Sequence, residues 1–268
     1  MTTPLRPPIS AYFRTQNEAS NLPSALEGAF QIADEVLVVD SGSTDDTIAI
    51  AESAGARVIR QEWLGNGKQK RIAEDAARHD WLLDLDADEV VTPELATEIS
   101  ALFANGPPDK SIFRTPMAYA PPIGAPWVGF GGVKRHKLYD RRVVRQPDHK
   151  AWDQFAPPSG VQVGRLANPI LHYAWRDAEG LVAKVNRNST TRARLLPLKP
   201  RGILSLRILF GLPIYISKRF LFDGLFRAGV DGFAFSAISG YGRWLRDVKM
   251  YERLRMEEAK GARDEWAA

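Results

Sequence analysis

Residues 81–89 read Trp-Leu-Leu-Asp-Leu-Asp-Ala-Asp-Glu, an apolar run that ends in four carboxylates within six residues. The apolar part is typical of a buried strand. Carboxylates crowded at one strand end repel each other, so the fold must offset that repulsion with a cation, with hydrogen bonds or with solvation. The stretch therefore predicts either a site for a metal ion and phosphate groups or a solvated acidic turn in front of a helix.

The residues before this stretch alternate short apolar runs with amphipathic segments. Strands are predicted at residues 9–13, 35–39, 56–59 and 81–85, and helices at 22–30, 44–54 and 68–77. Such alternation indicates parallel strands joined by right-handed crossovers, with ligands bound beyond the carboxyl ends of the strands. Polar residues follow three of the strands, at 17–18, 40–46 and 86–89. We expect these three strand ends to meet in one crevice.

The rest of the chain is less regular. Thr92 and Pro93 predict a capped helix that runs to about residue 103. Residues 107–169 are rich in Pro, Gly and aromatic side chains, and they predict loops with short strands at 111–114, 137–139 and 160–166. A helix is predicted at 179–196, followed by a boundary at 197–202 and by apolar helices with interspersed Arg and Lys over 203–255.

Composition and charge narrow the class of protein. The chain has 268 residues, of which 44% are hydrophobic and 25% charged, as in a soluble globular protein. It has no cysteine, which excludes disulfides, thiolate catalysis and Cys-based zinc sites and fits a reducing compartment. No signal peptide is evident, so we expect a cytoplasmic protein.

The charge is divided unevenly along the chain. Residues 1–109 carry 8 Lys/Arg and 19 Asp/Glu, a net charge of −11, whereas residues 184–260 carry 16 and 6, a net charge of +10. An acidic half suits a cation-dependent ligand, and a basic half with many aromatic residues suits an anionic lipid surface.

The C-terminal region is apolar but does not predict a membrane-spanning helix. Its longest uncharged runs, 208–217 and 232–242, are shorter than the roughly 20 residues that a bilayer crossing needs. Two interpretations remain: helices lying in the membrane interface, with Phe220, Phe222 and Phe226 in the acyl boundary, or a helical hairpin packed on the rest of the chain. We expect the first, with the protein peripheral on the inner face of the cytoplasmic membrane.

Three motifs stand in order along the chain: Phe-Arg-Thr-Gln-Asn-Glu at 13–18, Val-Val-Asp-Ser-Gly-Ser-Thr-Asp-Asp-Thr at 38–47 and Leu-Asp-Ala-Asp-Glu at 85–89. Together with Trp-Leu-Gly-Asn-Gly-Lys-Gln-Lys at 63–70, they resemble the family 2 glycosyltransferases, which have the GT-A fold. The resemblance is greatest to the bacterial subgroup that includes lipopolysaccharide-core β-1,4-glucosyltransferases.

This resemblance implies an α/β, Rossmann-like fold with a mostly parallel central sheet, flanking helices and C-terminal amphipathic helices. It implies a GT-A catalytic domain at residues 1–200, with a nucleotide-sugar half at 1–109 and an acceptor half at 110–200. Residues 201–268 then form a helical, membrane-associated extension.

The resemblance also implies roles for individual residues. Those implied to hold or approach the nucleotide-sugar donor are Thr15, Asn17, Glu18, Asp40, Gln69, Lys70 and Asp86. Asp88 is implied to bind a divalent ion, Mg²⁺ or Mn²⁺, and His172 to complete the metal site, with a core histidine as the alternative. For Lys70 the alternative is a solvated position on a helix. Asp84 is expected to face the opposite side of its strand, and Glu89 to act as a cap or to support the metal-binding residues of the acidic turn from behind.

An inverting transfer needs a carboxylate near the acceptor hydroxyl to take its proton. Asp153 lies where the subgroup has a His-Asp or His-Glu pair, although Trp152 stands in place of the histidine, and it is the predicted base. Asp148, beside His149, is one alternative, and the other is that Asp153 is a solvated acid of a loop. Trp127 and Trp152 either stack on a sugar ring or fill a core.

The sequence therefore predicts a metal-dependent inverting enzyme that moves a sugar from a nucleotide-diphosphate sugar, a UDP-hexose by preference, to a membrane-held glycolipid or lipopolysaccharide-core acceptor. One alternative is a nucleotidyltransferase, but residues 14–18 lack the Gly-rich basic loop expected there. Another is a non-catalytic, membrane-associated scaffold that binds sugar nucleotides, against which the intact Asp40, Asp86 and Asp88 argue. Nucleic acid is not an expected partner, because no RNA-binding motif accompanies the basic charge.

Overall fold

The computed structural model describes residues 7–150 and 152–267, with residues 261–267 described by their backbone alone. The described chain forms two compact units. The first comprises the chain up to Ala120 together with Gly132–Tyr173, and the second comprises Pro121–Gly131 and the chain from Ala174 onward. The predicted division into a catalytic domain at residues 1–200 and a helical extension at 201–268 stays a prediction.

The first unit is built on one sheet, to which the described residues contribute nine strands. The strands are β1 (Ile9–Thr15), β2 (Glu35–Asp40), β3 (Arg57–Arg60), β4 (Trp81–Asp86), β5 (Glu89–Val91), β6 (Ile112–Tyr119), β7 (Val133–Asp140), β8 (Val163–Arg165) and β9 (Ile170–His172). Their order is β3-β2-β1-β4-β7-β6-β9-β5, with β8 beside β6. β1 to β4 pair in parallel, while β7 is antiparallel to both β4 and β6.

Helices flank this sheet, and the predicted α/β class is confirmed. They are α1 (Leu22–Phe30), α2 (Thr47–Ser53), α3 (Asn66–Ala76) and α4 (Pro93–Leu102). Alternate residues of β1 enter different apolar clusters, with Phe13 in one and Tyr12 in the other. Because both faces of the central strands are covered, these strands read as continuous apolar runs in the sequence.

Helix α4 begins as predicted, with the Thr92 hydroxyl accepting from the backbone N–H of Leu95. Helix α2 is shorter than predicted and begins at Thr47. Its predicted first residues lie in a loop, where Asp45 accepts hydrogen bonds from the N–H groups of Ala19 and Thr47. Asp45 therefore links two loops in front of the helix.

The second unit is helical, and the predicted C-terminal helices are confirmed. It contains α5 (Ala178–Leu195), α6 (Arg201–Ser217), a π-helical turn (Lys218–Phe222), a 3₁₀ turn (Leu225–Ala228) and α7 (Gly229–Ala267). Close packing requires glycine on α7, because a Cβ at Gly240 would meet the backbone of Ile216 and one at Gly242 would meet Val185. No helix in the described part of the chain combines the length and the hydropathy of a membrane span.

Candidate active site

The carboxyl ends of β1, β2 and β4 lie side by side at one edge of the sheet. The register places Thr15 opposite Asp40 and Arg14 opposite Asp86. The predicted convergence of the three strand ends is therefore confirmed. Polar motifs that are far apart in the sequence form one polar edge.

Asp40 organises the turn that follows β2. Its side chain is buried, and Oδ1 accepts from the N–H groups of Gly42 (3.0 Å) and Ser43 (2.8 Å). Oδ2 accepts from the hydroxyls of Thr15 (2.8 Å) and Ser43 (2.5 Å). Gly42 permits the turn because its φ is 87°, a conformation that glycine adopts without strain. Thr15 and Asp40, two of the predicted nucleotide ligands, are thus bonded to each other at the base of the edge.

The loop after β1 is tied to the loop after β2. The side-chain oxygen of Asn17 accepts from the N–H of Thr44 (2.8 Å), and the N–H of Asn17 donates to the Ser43 hydroxyl (2.8 Å). The N–H of Glu18 donates to the hydroxyl of the first residue of α2 (2.8 Å). These bonds bring Asn17 and Glu18 to the same edge as Asp40.

Two short strands that were not predicted bring Asp88 and His172 together. β5 pairs antiparallel with β9 and places Glu89 opposite His172. His172 Nε2 lies 3.3 Å from Asp88 Oδ2, and the carbonyl of Asp88 accepts from the N–H of Tyr173 (2.8 Å). The two residues predicted to hold a metal ion are therefore neighbours.

Glu89 supports the acidic turn from inside the protein, as expected. Its Oε2 accepts from the N–H of Asp86 (3.0 Å) and from Nζ of the buried Lys137 (2.6 Å). Burial raises the pKa of Glu89, and the charge of Lys137 opposes this only in part. Burial by itself lowers the pKa of Lys137, but the charges of Glu89, Asp84 and Asp86 outweigh it and raise that pKa. The lysine stays charged beneath the carboxylates.

Arg14, which was not among the predicted site residues, lies at the centre of the edge. Its Nε donates to Asp86 Oδ1 (2.8 Å), its Nη2 to Asp153 Oδ2 (2.7 Å) and its Nη1 to Asn66 Oδ1 (2.8 Å). One guanidinium thus places the predicted base beside the predicted donor-binding carboxylate. The signal available in the sequence was an arginine inside an otherwise apolar strand.

The electrostatics of this group are those of a compact ionic cluster. Burial by itself would raise the pKa of Asp86, but the charges of Arg14, Lys70 and Lys137 outweigh it and hold that pKa well below its ordinary value. Burial also disfavours the charged form of Arg14, and Asp86 and Asp153 reverse this, so the pKa of the guanidinium is raised. Asp86 is ionised throughout the neutral range.

Lys70 and Gln69 lie beneath the edge. Lys70 is 1% exposed, its Nζ donates to Asp84 Oδ2 (2.8 Å) and it lies 3.9 Å from Asp153 Oδ2. The alternative of a solvated helix position for Lys70 is therefore wrong. Gln69 is also buried, and its Nε2 donates to the hydroxyl of Ser41 (2.8 Å).

The expectation that Asp84 faces the opposite side of its strand is wrong as well. Asp84 and Asp86 are two residues apart on β4, and a strand alternates its side chains with a period of two. Both belong to the group around Asp153, Asp84 through Lys70 and Asp86 through Arg14.

Two glycines let the loop before Asp153 lie directly on the start of α3. The N–H groups of Asn66 and Gly67 donate to the carbonyls of Lys150 (2.9 Å) and His149 (3.0 Å). A Cβ at Gly65 would overlap the backbone of Lys150, and one at Gly67 would overlap the carbonyl oxygens of Pro147 and Trp152. The start of α3 therefore sets the position of Asp153.

Asp148, the alternative base, lies elsewhere on the same loop. Its side chain is 67% exposed and pairs with Lys68 at 3.6 Å, whereas Asp153 is 27% exposed and is bonded to Arg14. The geometry thus favours Asp153 as the carboxylate of the site. Trp127 fills a core, since it is buried against Trp175 and Phe235, whereas Trp152 is half-exposed.

Asp88 and His172 form the pair whose chemistry fits a divalent ion. In residues 7–150 and 152–260 there is no group of three or more His, Asp or Glu side chains arranged to hold a metal. Two protein ligands are enough for Mg²⁺ or Mn²⁺ at a phosphate site, because water and phosphate oxygens supply the remaining ligands. The donor set therefore fits an ion that arrives with a diphosphate.

Comparison with known sequences gives concordant matches. The profile of a protein family described as glycosyl transferase family 2 matches residues 10–156. A protein of Rickettsia felis described as an uncharacterized glycosyltransferase is 33% identical, with 96% of this chain and 94% of that protein aligned. The lipopolysaccharide core biosynthesis glycosyltransferase LpsC of Rhizobium meliloti is 26% identical, with 92% and 93% aligned. The profile spans β1 to Asp153, and His172 lies beyond it.

Among solved structures, the chain is similar to glucosyl-3-phosphoglycerate synthase from Mycobacterium tuberculosis in complex with Mn²⁺, UDP and glucosyl-3-phosphoglycerate. The identity is 19% and the TM-score 0.45, with 70% of this chain and 80% of that chain covered. It is also similar to residues 1–349 of S. aureus TarS, with 14% identity, a TM-score of 0.46 and coverage of 93% and 92%.

Proposed function

Because the chain belongs to glycosyl transferase family 2, we propose that it moves a hexose from a UDP-sugar to a membrane-held glycolipid or lipopolysaccharide-core acceptor, with inversion at the anomeric carbon. The observation that carries the proposal is the placement of Asp86 and Asp153 on one guanidinium, beside the neighbouring pair Asp88 and His172. The relative LpsC supports the choice of acceptor, since its name places it in lipopolysaccharide core biosynthesis.

The donor is held at the carboxyl ends of β1, β2 and β4. The loops bearing Asn17 and Glu18 and the turn built by Asp40 form the nucleotide side of the site, and Asp86 orients the sugar nucleotide. The hydrogen bonds of Asp40 support this arrangement, because they fix the turn before any ligand binds and so reduce the ordering that binding requires. The buried side chains of Lys70 and Gln69 support this side of the site through their hydrogen bonds to Asp84 and Ser41.

A divalent ion would be held by Asp88 and His172. When bound, the ion neutralises the charge that grows on the departing diphosphate. The protein contributes the orientation of the two ligands, because the pairing of β5 with β9 holds His172, at the end of β9, next to the turn that carries Asp88 directly before β5. Glu89 and the charged Lys137 keep the acidic turn in place from the interior.

Asp153 accepts the proton of the acceptor hydroxyl. A carboxylate in this role must lie within hydrogen-bond reach of the hydroxyl while the oxygen attacks the anomeric carbon. Asp153 is partly exposed at the polar edge and is fixed by Arg14, which supports the assignment.

The second unit exposes several large apolar side chains, which we group as its apolar face and assign to the inner surface of the cytoplasmic membrane. They are Leu206, Leu209, Phe210, Ile214, Phe222, Phe226, Val230 and Phe233. Phe222 and Val230 are each 84% exposed, an unfavourable arrangement in water for side chains of this kind. Lys218 and Arg227 lie in the same segment and complement anionic headgroups.

A donor panel tests the proposed reaction. UDP-, GDP- and ADP-hexoses are titrated into the wild-type protein by calorimetry, with and without Mn²⁺, and release of the nucleoside diphosphate is followed with lipopolysaccharide-core acceptor. We expect binding of a UDP-hexose that requires Mn²⁺, and UDP release that requires acceptor. Absence of binding for every donor would overturn the proposal.

A further inference from the structure

All three nitrogens of the Arg14 guanidinium are engaged by different parts of the first unit. Asp86 ends β4, Asn66 begins α3, and Asp153 lies on the loop that α3 supports. The Arg14 side chain is 19% exposed, and those of Asp86 and Asp153 are 29% and 27% exposed. The arginine is thus largely enclosed at the point where the donor side and the acceptor side of the site meet.

The shape of this side chain distinguishes it from a simple positive charge. A guanidinium is planar and rigid, so two carboxylates bonded to its Nε and Nη2 are held at a fixed separation. A lysine at the same place offers a point charge on a flexible stem, and it cannot hold two carboxylates in one defined geometry. The positive charge also offsets the repulsion between Asp86 and Asp153.

We propose that Arg14 is a positioning residue for the transfer step, holding the proton acceptor Asp153 at a fixed distance from the donor-binding Asp86. This inference rests on the proposed function. In that step the acceptor O–H proton passes to Asp153, the acceptor oxygen forms a bond to the anomeric carbon, and the bond between that carbon and the phosphate oxygen breaks. The bonding electrons leave with the diphosphate.

The same geometry explains why one arginine serves both carboxylates. A base displaced by about 1 Å is enough to reduce a rate roughly 100-fold, so the separation between donor and base has to be set by a rigid group. Lys70 approaches Asp153 only to 3.9 Å and is already bonded to Asp84. Arg14 is therefore the group that fixes Asp153 relative to Asp86.

The test compares Arg14→Met and Arg14→Lys with the wild type. We expect kcat to fall about 100-fold in Arg14→Met and about 10-fold in Arg14→Lys, because lysine restores the charge without the rigid fork. The dissociation constant of UDP-hexose with Mn²⁺ is expected to change less than about 5-fold, since Asp88 and His172 are untouched and Glu89 still holds the backbone of Asp86. If Arg14→Met does not fold, the reduced kcat expected of Arg14→Lys still tests the inference.

A double-mutant cycle separates positioning from other effects. Because Arg14 acts through Asp153, adding Arg14→Met to Asp153→Asn should reduce kcat less than about 3-fold further. Arg57→Met is the matched control: Arg57 pairs with Glu35 at 2.9 Å where β2 begins, away from the polar edge, and its loss should leave kcat unchanged.

Two results would overturn the inference while leaving the proposed function intact. In the first, the wild type transfers hexose and the kcat of Arg14→Met stays within about 3-fold of the wild-type value. The other is full additivity of Arg14→Met and Asp153→Asn, since independent effects would mean that Arg14 does not act through Asp153. A wild type that binds no nucleotide sugar would overturn the proposed function, and this inference with it.

Discussion

Single residues set the position of Asp153, the proposed base, and the clearest case is Gly67. A Cβ at this position would overlap the carbonyl oxygens of Pro147 and Trp152, which flank the approach to Asp153. We predict that Gly67→Ala lowers the free energy of unfolding by about 1–3 kcal/mol, as overpacking does. Because the loop must shift, we also expect kcat to fall by about 100-fold. Urea denaturation and steady-state kinetics measure the two effects.

Gly202 is the control for this substitution. A Cβ at Gly202 meets nothing within 4 Å, so Gly202→Ala should keep kcat and leave stability unchanged or slightly higher. If Gly67→Ala turned over like the wild type, the contact between α3 and the loop would not determine where Asp153 lies.

At this scale the sequence revealed the carboxylates but not their partners. The acidic motifs follow apolar strands, which made Asp86 and Asp88 visible, and Asp153 was found by its position in a motif. Arg14 was missed, and the burial of Lys70 was not predicted, because both side chains make long-range contacts: the positive charge of each is paired with acids at least 14 residues away in the sequence. For Arg14, a charged residue inside an apolar segment was the sign that such partners exist, whereas Lys70 lies in the polar stretch 66–71 and gave no such sign.

Among the helices, α6 and α7 are joined by the hydrogen bonds and ion pair of one buried carboxylate. Asp247 of α7 is fully buried, accepts from the hydroxyl of Tyr215 (2.7 Å) and pairs with Arg207 of α6 (2.9 Å). Burial by itself raises the pKa of Asp247, but Tyr215, Arg246 and Arg207 outweigh it, so the pKa is lowered.

The lowered pKa of Asp247 determines how the free energy of unfolding depends on pH. A folded-state pKa below the unfolded one gives stability that is fully present above about pH 4 and is lost as the pH falls through the folded-state pKa. We predict that Asp247→Asn lowers the free energy of unfolding by about 2 kcal/mol at pH 7, and that the gap to the wild type narrows at pH 3.5. Urea denaturation at the two pH values measures this.

Asp231, an exposed acid of the same helix, supplies the control. Asp231→Asn should lower the free energy of unfolding by less than about 1 kcal/mol, because it removes only the interaction of an exposed charge with the N-terminus of α7. A gap for Asp247→Asn that stays the same from pH 7 to pH 3.5 would show that ionisation of Asp247 does not stabilise the helices.

Most helices and strands could be predicted from the sequence, and the exceptions are short strands that depend on pairing with distant parts of the chain. β1, β2, β4, α1 and α4 carry strong apolar patterns or caps and were found within a few residues of their bounds. β5 and β9 have three residues each and pair across about eighty residues of chain, so no local pattern marks them. They are the strands that bring Asp88 to His172, so the pairing that creates this contact came from the structure, although both residues were predicted for one metal site.

For the whole molecule, the division of charge and the apolar face of the second unit lead to a prediction about membranes. We expect the protein to bind vesicles of phosphatidylcholine with phosphatidylglycerol more tightly than phosphatidylcholine alone, and binding to weaken as salt rises from about 0.1 to 0.5 M. Changing Phe222 and Val230 together to Asp should weaken binding at least 10-fold, since both side chains lose their burial in lipid. Vesicle flotation measures these affinities.

Val182→Asp places a charge on another exposed apolar residue of the same unit and should leave vesicle binding unchanged. Equal affinity for neutral and anionic vesicles, or retention of binding by the Phe222 and Val230 variant, would mean that this face has a different partner.

The central claim for the molecule is that two carboxylates at one sheet edge have different roles. Asp88 binds the donor through the metal ion, and Asp153 accepts the proton during transfer. The most direct measurement is calorimetric titration of UDP-hexose with Mn²⁺ into Asp153→Asn and Asp88→Ala, alongside their turnover, with Asp148→Asn as the control. We predict that Asp153→Asn binds the donor like the wild type but turns over about 10²–10⁴-fold more slowly. Asp88→Ala should lose metal-dependent donor binding. Asp148→Asn should keep both donor binding and turnover. Wild-type turnover by Asp153→Asn, or unchanged metal-dependent binding by Asp88→Ala, would contradict it.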